Sequence, residues 1–227
     1  MAKKHPDEGV TDAEIREAAS ETVHQGTDIR AQVHALTLRA LQSRRFDRSG
    51  IREVVRAVTE GTALGAERKH TGMRQAMSEA LHGLDQALRT SAEAGQEALK
   101  QLTANGRSFS DTELKQVLGN LRKLEHDFLD TVSQVAEGTS ESVRPELREA
   151  LRNARHAGTA TGKQVAHTMG EFAQKLGAAS FEVGLTGLET AADFGQRFTL
   201  IASGVLSGMA EALRTEPKPD PTEPRGR

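Results

Sequence analysis

The chain has 227 residues, of which 36% are hydrophobic and 27% are charged, and its formal net charge is −2. This balance supplies enough apolar residues for a core but gives no global attraction to nucleic acid or acidic lipid. Cysteine is absent, which excludes disulfides, thiolate catalysis and cysteine zinc sites. Aromatic residues make up only 3%, which disfavours surfaces that stack on nucleic-acid bases.

The placement of proline indicates the fold class. Pro145 is the single proline between Pro6 and the four prolines that follow residue 214. Proline breaks helices, and the chain between these points is rich in residues of high helix propensity. We also find no alternating run of β-branched residues typical of a strand. The sequence therefore predicts an all-α protein, an elongated bundle of long helices with coiled-coil-like packing.

Both ends of the chain are predicted to be disordered, over residues 1–9 and 215–227. The C-terminal segment is proline-rich and has no aliphatic or aromatic side chain to bury. The N-terminal segment has no apolar stretch behind its two lysines, so we do not interpret it as a signal peptide and expect a cytoplasmic protein.

The first helix is predicted to begin at Thr11. The Thr11 side chain can cap the helix, Glu14 can reach back from the third helical position, and Val10 can pack onto Ile15 as a hydrophobic staple. We expect this helix to end near Arg44-Arg45, because cations suit the negative end of the helix dipole.

The second helix is predicted to begin after a cap at Asp47 and to run to about Thr103, where Asn105-Gly106 supplies a left-handed stop. Apolar or small residues recur along it at steps of mainly three and four. They are Met73, Met77, Leu81, Leu84, Leu88, Gly95, Leu99 and Leu102. This spacing predicts a long helix in contact with other helices.

The third helix is predicted to open as the first one does. Ser110 would cap it, Glu113 would complete the capping box, and Phe109 would pack onto Leu114. Its apolar series is Leu121, Leu124, Phe128, Val132, Val135, Thr139 and Val143. Pro145 either begins a fourth helix or kinks one helix that runs on from residue 110, and the sequence favours neither alternative.

Two sequence motifs occur twice in the same order, about a hundred residues apart. The helix-opening motif at 10–16 recurs at 109–115, and the motif at 51–65 recurs at 147–162 with one residue inserted. We interpret this as an internally duplicated helix pair. The predicted units are a first helical repeat over 10–107 and a second over 108–214, the latter ending in an apolar, glycine-rich helix.

Glycines recur at a fixed interval in the second predicted helix. Gly61, Gly72 and Gly83 are eleven residues apart and so share one face over three turns. Glycine inside a helix costs about 1 kcal/mol relative to alanine. We therefore expect the helices to approach one another closely at these positions.

The last helical stretch differs from the rest. Residues 198–210 carry no charge, but thirteen residues are too few for a membrane span, which needs about twenty. Gly204 and Gly208 form a small-xxx-small pair that could seat another helix, and Gly184 to Gly187 could form a hinge. The predicted interaction surface consists of Phe194, Phe198, Ile201, Gly204, Val205, Gly208 and Met209.

Three Glu-x-x-His pairs raise the possibility of a metal site: Glu21/His24, Glu67/His70 and Glu79/His82. Carboxylate-bridged di-iron bundles need two such pairs and two further glutamates, all pointing inward. The second half has no such pair, because Asn153 stands before His156. We interpret the pairs as solvated helix surface and predict no catalytic residue, no metal and no cofactor.

Gly-Thr occurs four times, at 26–27, 61–62, 138–139 and 158–159. One interpretation is a repeated polar contact for a ligand or partner. We favour a structural role, in which glycine permits close approach and the threonine hydroxyl bonds a carbonyl one turn back.

Arginines cluster at Arg44, Arg45, Arg48 and Arg52. Asp47 and Glu53 dilute this charge, so we interpret the cluster as a solvated loop rather than a phosphate site.

Long helices without cysteine, with few aromatic and many small residues and an apolar helical region, resemble bacterial phasins over residues 10 to 213. Phasins coat polyhydroxyalkanoate granules. The resemblance rests on composition and pattern, so it implies amphipathic surface binding without assigning a role to any residue. The same pattern also resembles bacterial helical families that have no assigned role.

We therefore expect a non-enzymatic helical scaffold or self-associating interaction protein, whose partners are further copies of the chain or partner helices. The alternative is a phasin-like coat that binds a hydrophobic granule or membrane surface through its C-terminal helix. A metal-binding helical bundle is a distant third, and we expect no nucleic-acid partner.

Overall fold

A computed structural model describes residues 10–44, 47–69, 72–104, 111–178 and 191–215, apart from the side chains at 111–116, 173–178, 191–195 and 213–215. Within these ranges the chain forms eight helices and no strand, which confirms the all-α prediction. The helices are α1 (Asp12–Gln25), α2 (Ile29–Gln42), α3 (Arg48–Lys69), α4 (Met73–Ala104), α5 (Asp111–Gly138), α6 (Arg144–Ala157), α7 (Ala160–Ala178) and α8 (Ala191–Thr215).

The long helix α4 forms the centre of the bundle. It packs against α2, α3, α6, α7 and α8, while α1 packs on α3 and α5 packs on α3, α6 and α7. Of the predicted series along α4, the residues from Met77 to Leu102 are buried and Met73 is half-buried. One contiguous hydrophobic core includes residues from all eight helices, so helices of both predicted repeats pack together. The division into repeats at 107/108 stays a prediction.

The first two predicted helices are each broken in the structure, which corrects both predictions. The first predicted helix ends at Gln25 and a new one begins at Ile29, with Gly26 and Asp28 in the left-handed region between them. The second predicted helix breaks before Met73, where Gly72 has φ +68°. Glycine adopts positive φ at no steric cost, so a glycine inside a helical pattern can end the helix.

Pro145 begins a helix and does not kink one. Helix α5 ends at Gly138, and the backbone N–H of Arg144 donates to the Ser140 carbonyl in the turn that follows. Pro145 then lies in the first turn of α6, where its missing N–H costs no helical hydrogen bond. Gly158 ends α6, so the second copy of the repeated motif spans a helix break, whereas Gly61 lies inside α3.

The predicted capping box of α1 is present. The Thr11 side chain accepts from the backbone N–H of Glu14, and the Glu14 carboxylate accepts from the backbone N–H of Thr11 at 2.9 Å. Val10 is partly buried against the core. Of the equivalent cap on α5, Phe109 and Ser110 and the side chains of Glu113 and Leu114 lie outside the described residues.

Helices approach at backbone distance where small residues meet. A Cβ atom at Gly61 would lie well under 3.0 Å from the carbonyl oxygen of Arg16, and one at Gly65 would lie equally close to that of Ser20. Gly83 packs in the same way against the Arg30 carbonyl of α2. Close packing is therefore confirmed at Gly61 and Gly83. It is wrong for Gly72, which lies in a helix break where no described atom outside its chain neighbours lies within 4 Å of a Cβ position.

An ion pair joins α3 to α5. The Arg48 guanidinium donates from Nε to Asp127 Oδ2 at 2.7 Å and from an Nη to Oδ1 at 2.8 Å, and Asp127 is buried. Such a two-point contact fixes both distance and orientation. The hydrogen bonds from Arg48, followed by its positive charge, hold the pKa of Asp127 below its ordinary value.

We expect Gly61→Ala to destabilise the protein. The added methyl group forces α1 away from α3, at a cost of about 1–3 kcal/mol, which outweighs the roughly 1 kcal/mol gained in helix propensity. Urea denaturation followed by circular dichroism measures the change. Gly119→Ala is the control, since no described atom of another helix lies within 4 Å of a Cβ there and we expect equal or higher stability. Equal loss in both variants would contradict the close packing.

We expect Asp127→Asn to lower the free energy of unfolding at pH 7 by about 1–2 kcal/mol, because it removes a charge-assisted hydrogen-bonded pair. The folded-state pKa of Asp127 is lowered, so its contribution is complete above the unfolded-state pKa of about 4 and disappears as pH falls through the folded-state pKa. The difference between wild type and variant should therefore shrink in acid.

Denaturation at a series of pH values checks this expectation. Asp130→Asn is the matched control, because the Asp130 carboxylate accepts a hydrogen bond from Gln134 of its own helix. A constant difference between wild type and Asp127→Asn from pH 7 to pH 2 would show that the carboxylate charge is not what stabilises the pair.

Candidate interaction surface

Helix α8 lies against α4, α2 and α5 with one face and is exposed on the other. The inner face buries Phe198, Ala202 and Leu206. At the edge of this face, the Gln42 side chain of α2 donates to the backbone carbonyl of Ser207 at 3.4 Å. These contacts fix which side of α8 faces outward.

Six exposed residues of α8, which we call the outer stripe, share one helix face: apart from the adjacent Ser207 and Gly208, each follows the one before it by three or four residues. They are Arg197, Leu200, Gly204, Ser207, Gly208 and Glu211. The Leu200 side chain is 72% exposed. Among the described residues the other exposed large hydrophobic side chain is Leu64, at 43%. The outer stripe therefore combines one protruding leucine with small residues and a charge at each end.

The glycines of the outer stripe repeat a pattern that the protein uses internally. Gly61 and Gly65 are four residues apart and receive the backbone of α1 at close range. Gly204 and Gly208 have the same spacing, but no described atom lies within 4 Å of a Cβ position at either one. Helix α8 thus presents at the surface the shape that seats a helix inside the bundle.

The structure divides the predicted interaction surface. Gly204 and Gly208 are exposed, Phe198 is buried, and the Phe194 side chain lies outside the described part of the chain. The other three, Ile201, Val205 and Met209, are half-buried against the core. Selecting residues by apolarity favours the face that packs on the bundle. Leu200 was missed, although its position four residues before Gly204 places it on the same face.

Polar groups from two other helices cap the first turn of α7. Asp85 of α4 accepts from the backbone N–H groups of Ala160 at 2.7 Å and Thr161 at 3.0 Å, and from the Thr161 hydroxyl at 2.7 Å. The Thr159 hydroxyl donates to Glu125 of α5 and accepts from the Gly162 N–H. Carboxylates are favourable at a helix N-terminus because of its exposed N–H groups and positive dipole end.

A second polar contact joins α4 to α7 further along. The Gln96 amide donates to the Glu171 carboxylate and accepts from Gln164 at 2.6 Å. Lys100 lies 3.3 Å from Glu171. The hydrogen bond from Gln96, and then the Lys100 ammonium, lower the pKa of Glu171. These polar groups fulfil one another's hydrogen-bonding capacity, so the contact orients α7 on α4. Sequence reasoning missed it because its partners are 68 or more residues apart.

The Glu-x-x-His pairs do not converge. Glu21, His24 and His82 are exposed, Glu67 and Glu79 are half-buried, and His70 lies outside the described residues. Over the described ranges, the histidines, aspartates and glutamates form no group of three or more that could hold a metal ion.

The structural interpretation of Gly-Thr is confirmed in full at Gly61-Thr62, but only for the threonine at Gly138-Thr139, because no described atom lies within 4 Å of a Cβ position at Gly138. The Thr62 hydroxyl donates to the Val58 carbonyl at 2.7 Å, and the Thr139 hydroxyl donates to the Ala136 carbonyl at 2.8 Å. Thr159 differs, since it bonds Glu125 as described above.

The arginine cluster is matched by carboxylates. Arg44 pairs with Asp12 and with Glu53, and Arg48 pairs with Asp127. Arg45 lies outside the described residues. These three ion pairs join Arg44, which follows α2, and Arg48 of α3 to carboxylates of α1, α3 and α5.

Two surface grooves lie near helix ends. A groove of about 510 Å³ lies at the two helix breaks and is lined by Asp28, Arg30, His34, Lys69 and Glu79, among others. Burial lowers the pKa of His34, which favours the neutral imidazole. A groove of about 670 Å³ between α3 and the end of α5 includes Leu64. Both grooves carry charges of both signs.

Among the described helices, none is long and apolar enough to cross a membrane. Comparisons with curated proteins and with solved structures give no match for this chain. A family model described as a family of unknown function, DUF6781, matches residues 4–215. Because the match covers most of the sequence, the chain belongs to the DUF6781 family.

Proposed function

We propose that this protein is a non-enzymatic helical scaffold that self-associates through the outer stripe of α8. The observation that carries the proposal is the exposed Leu200 beside Gly204 and Gly208, a glycine pair with the spacing that seats α1 on α3. Small residues let helix backbones approach, and the neighbouring leucine then loses its contact with water.

The expected association is weak and depends on concentration. Burying one leucine contributes about 1.5–3 kcal/mol, and a symmetric pair buries two. Association costs at least about 4 kcal/mol in lost translational and rotational freedom. The two leucines exceed this cost by at most about 2 kcal/mol, so the other contacts along the stripe must add to it, and we expect a dissociation constant of about 100 µM or weaker.

The geometry favours self-association over a granule or membrane coat. A coat needs a broad apolar face turned outward. In the outer stripe Leu200 is the single large apolar side chain, while Phe198, Ile201 and Val205 face or flank the core. For α8 to coat a surface, these residues would have to leave the bundle. The metal-bundle alternative ranks lower still, because it needs converging carboxylates.

We expect Leu200→Asp to weaken self-association by at least about 100-fold, because two leucine contacts are lost from each pair. Sedimentation equilibrium of the full chain, at concentrations up to several times the expected dissociation constant, measures this. Leu64→Asp is the matched control: it places the same charge at the second exposed leucine of the described residues and should leave association unchanged.

A monomer at every concentration would contradict the proposal, and so would loss of association in Leu64→Asp alone. Flotation with neutral lipid droplets distinguishes the coat alternative from self-association. We expect no flotation of the wild type, and flotation would favour the coat.

A further inference from the structure

Helix α7 turns a half-polar face toward α4 and α5. Between residues 160 and 172, where its side chains are described, it buries Thr161, Val165, Thr168 and Phe172. Two of these four residues are threonines, whereas five of the six buried residues of α2 are apolar. The hydrophobic effect therefore contributes less to the attachment of α7 than to that of α2.

Polar side chains supply further contacts between α7 and α4. Asp85 accepts hydrogen bonds from the first turn of α7, Gln96 bonds both Gln164 and Glu171, and Lys100 lies beside Glu171. When such a contact opens, water replaces each lost partner, so the net contribution of the hydrogen bond is small. An apolar contact has no such replacement, because its release exposes hydrocarbon to water. The contact between α7 and α4 thus costs less to open than an apolar contact of the same size.

Gly158 provides a point about which α7 can turn. It ends α6 with φ +75°, and glycine enters and leaves such conformations at little steric cost. On the other side of Gly158, α6 is held by an apolar face that buries Leu147, Ala150 and Leu151. A change of backbone dihedral angles at Gly158 therefore moves α7 and leaves α6 in place.

We propose that α7 is a releasable strap, which detaches from α4 and α5 by turning at Gly158 while those two helices stay packed. Local opening requires less free energy than global unfolding where few apolar contacts hold a segment. Release uncovers α4 between Asp85 and Lys100, and α5 around Glu125, whose carboxylate accepts from the Thr159 hydroxyl. Access to this surface is then governed by a conformational equilibrium. The inference does not rest on self-association through α8.

The cysteine-free chain permits a direct test by thiol labelling. In Thr168→Cys the single thiol lies on the buried face of α7 and reacts with a maleimide reagent only when α7 detaches. Thr37→Cys on α2 is the matched control, because both threonines are buried and each hydroxyl donates to the carbonyl four residues earlier. At a protein concentration below the dissociation constant expected for self-association, we expect Thr168→Cys to react at least about 10-fold faster.

A second measurement adds Asp85→Ala to each cysteine variant. Loss of the carboxylate removes the acceptor for the first turn of α7, so labelling of Thr168→Cys should accelerate about 10-fold while labelling of Thr37→Cys changes by less than about 2-fold. Glu97→Ala is the control substitution on α4, since Glu97 accepts from Gln101 of its own helix, and it should change neither rate.

Hydrogen exchange of the unsubstituted chain makes the same comparison without a cysteine. Amides at 165–172 of α7 should exchange at least about 10-fold faster than those at 58–65 of α3. Equal protection of the two segments, or equal labelling of Thr168→Cys and Thr37→Cys, would show that α7 opens only with the whole bundle and would overturn the proposal. Equal acceleration of both thiols by Asp85→Ala would also overturn it, because Asp85 would then stabilise the entire fold.

Discussion

The bundle depends on the close approach of five helices to α4. A helix contacted on so many sides can be enclosed only if many of its side chains are small, and α4 buries alanines, two glycines and one serine, Ser91, between its leucines. Ala87 and Ala94 are fully buried, and the buried Ser91 hydroxyl donates to the Ala87 carbonyl of its own helix. The low aromatic content of the sequence follows from this constraint, because large rings would hold the helices apart.

The features that could be predicted from the sequence are those that depend on residues close together in the chain. The apolar series from Met77 to Leu102 and the Thr11–Glu14 box depend on neighbours within one or two turns, so spacing alone identifies them. The class of the fold follows from the same local patterns together with the near-absence of proline.

The features that were missed depend on distant parts of the chain. Gly61 stays helical and packs on α1, whereas Gly26 ends a helix, although both precede threonine. Residues far along the chain decide between these outcomes. Which face of α8 turns outward was missed for a related reason. Counting apolar residues along the helix does not distinguish those that pack on the core from the exposed Leu200. The Asp85 contact to α7 leaves no local signal at all.

That contact has a consequence for the order of folding. The acceptor Asp85 precedes the two N–H groups it binds by 75 and 76 residues, so the first turn of α7 is stabilised only after a long loop has closed. During synthesis α4 leaves the ribosome first. The Asp85 carboxylate that caps α7 is therefore already present when α7 is synthesised. Its hydrogen bonds to the first turn of α7 offset part of the entropy lost in closing the loop and in nucleating the helix.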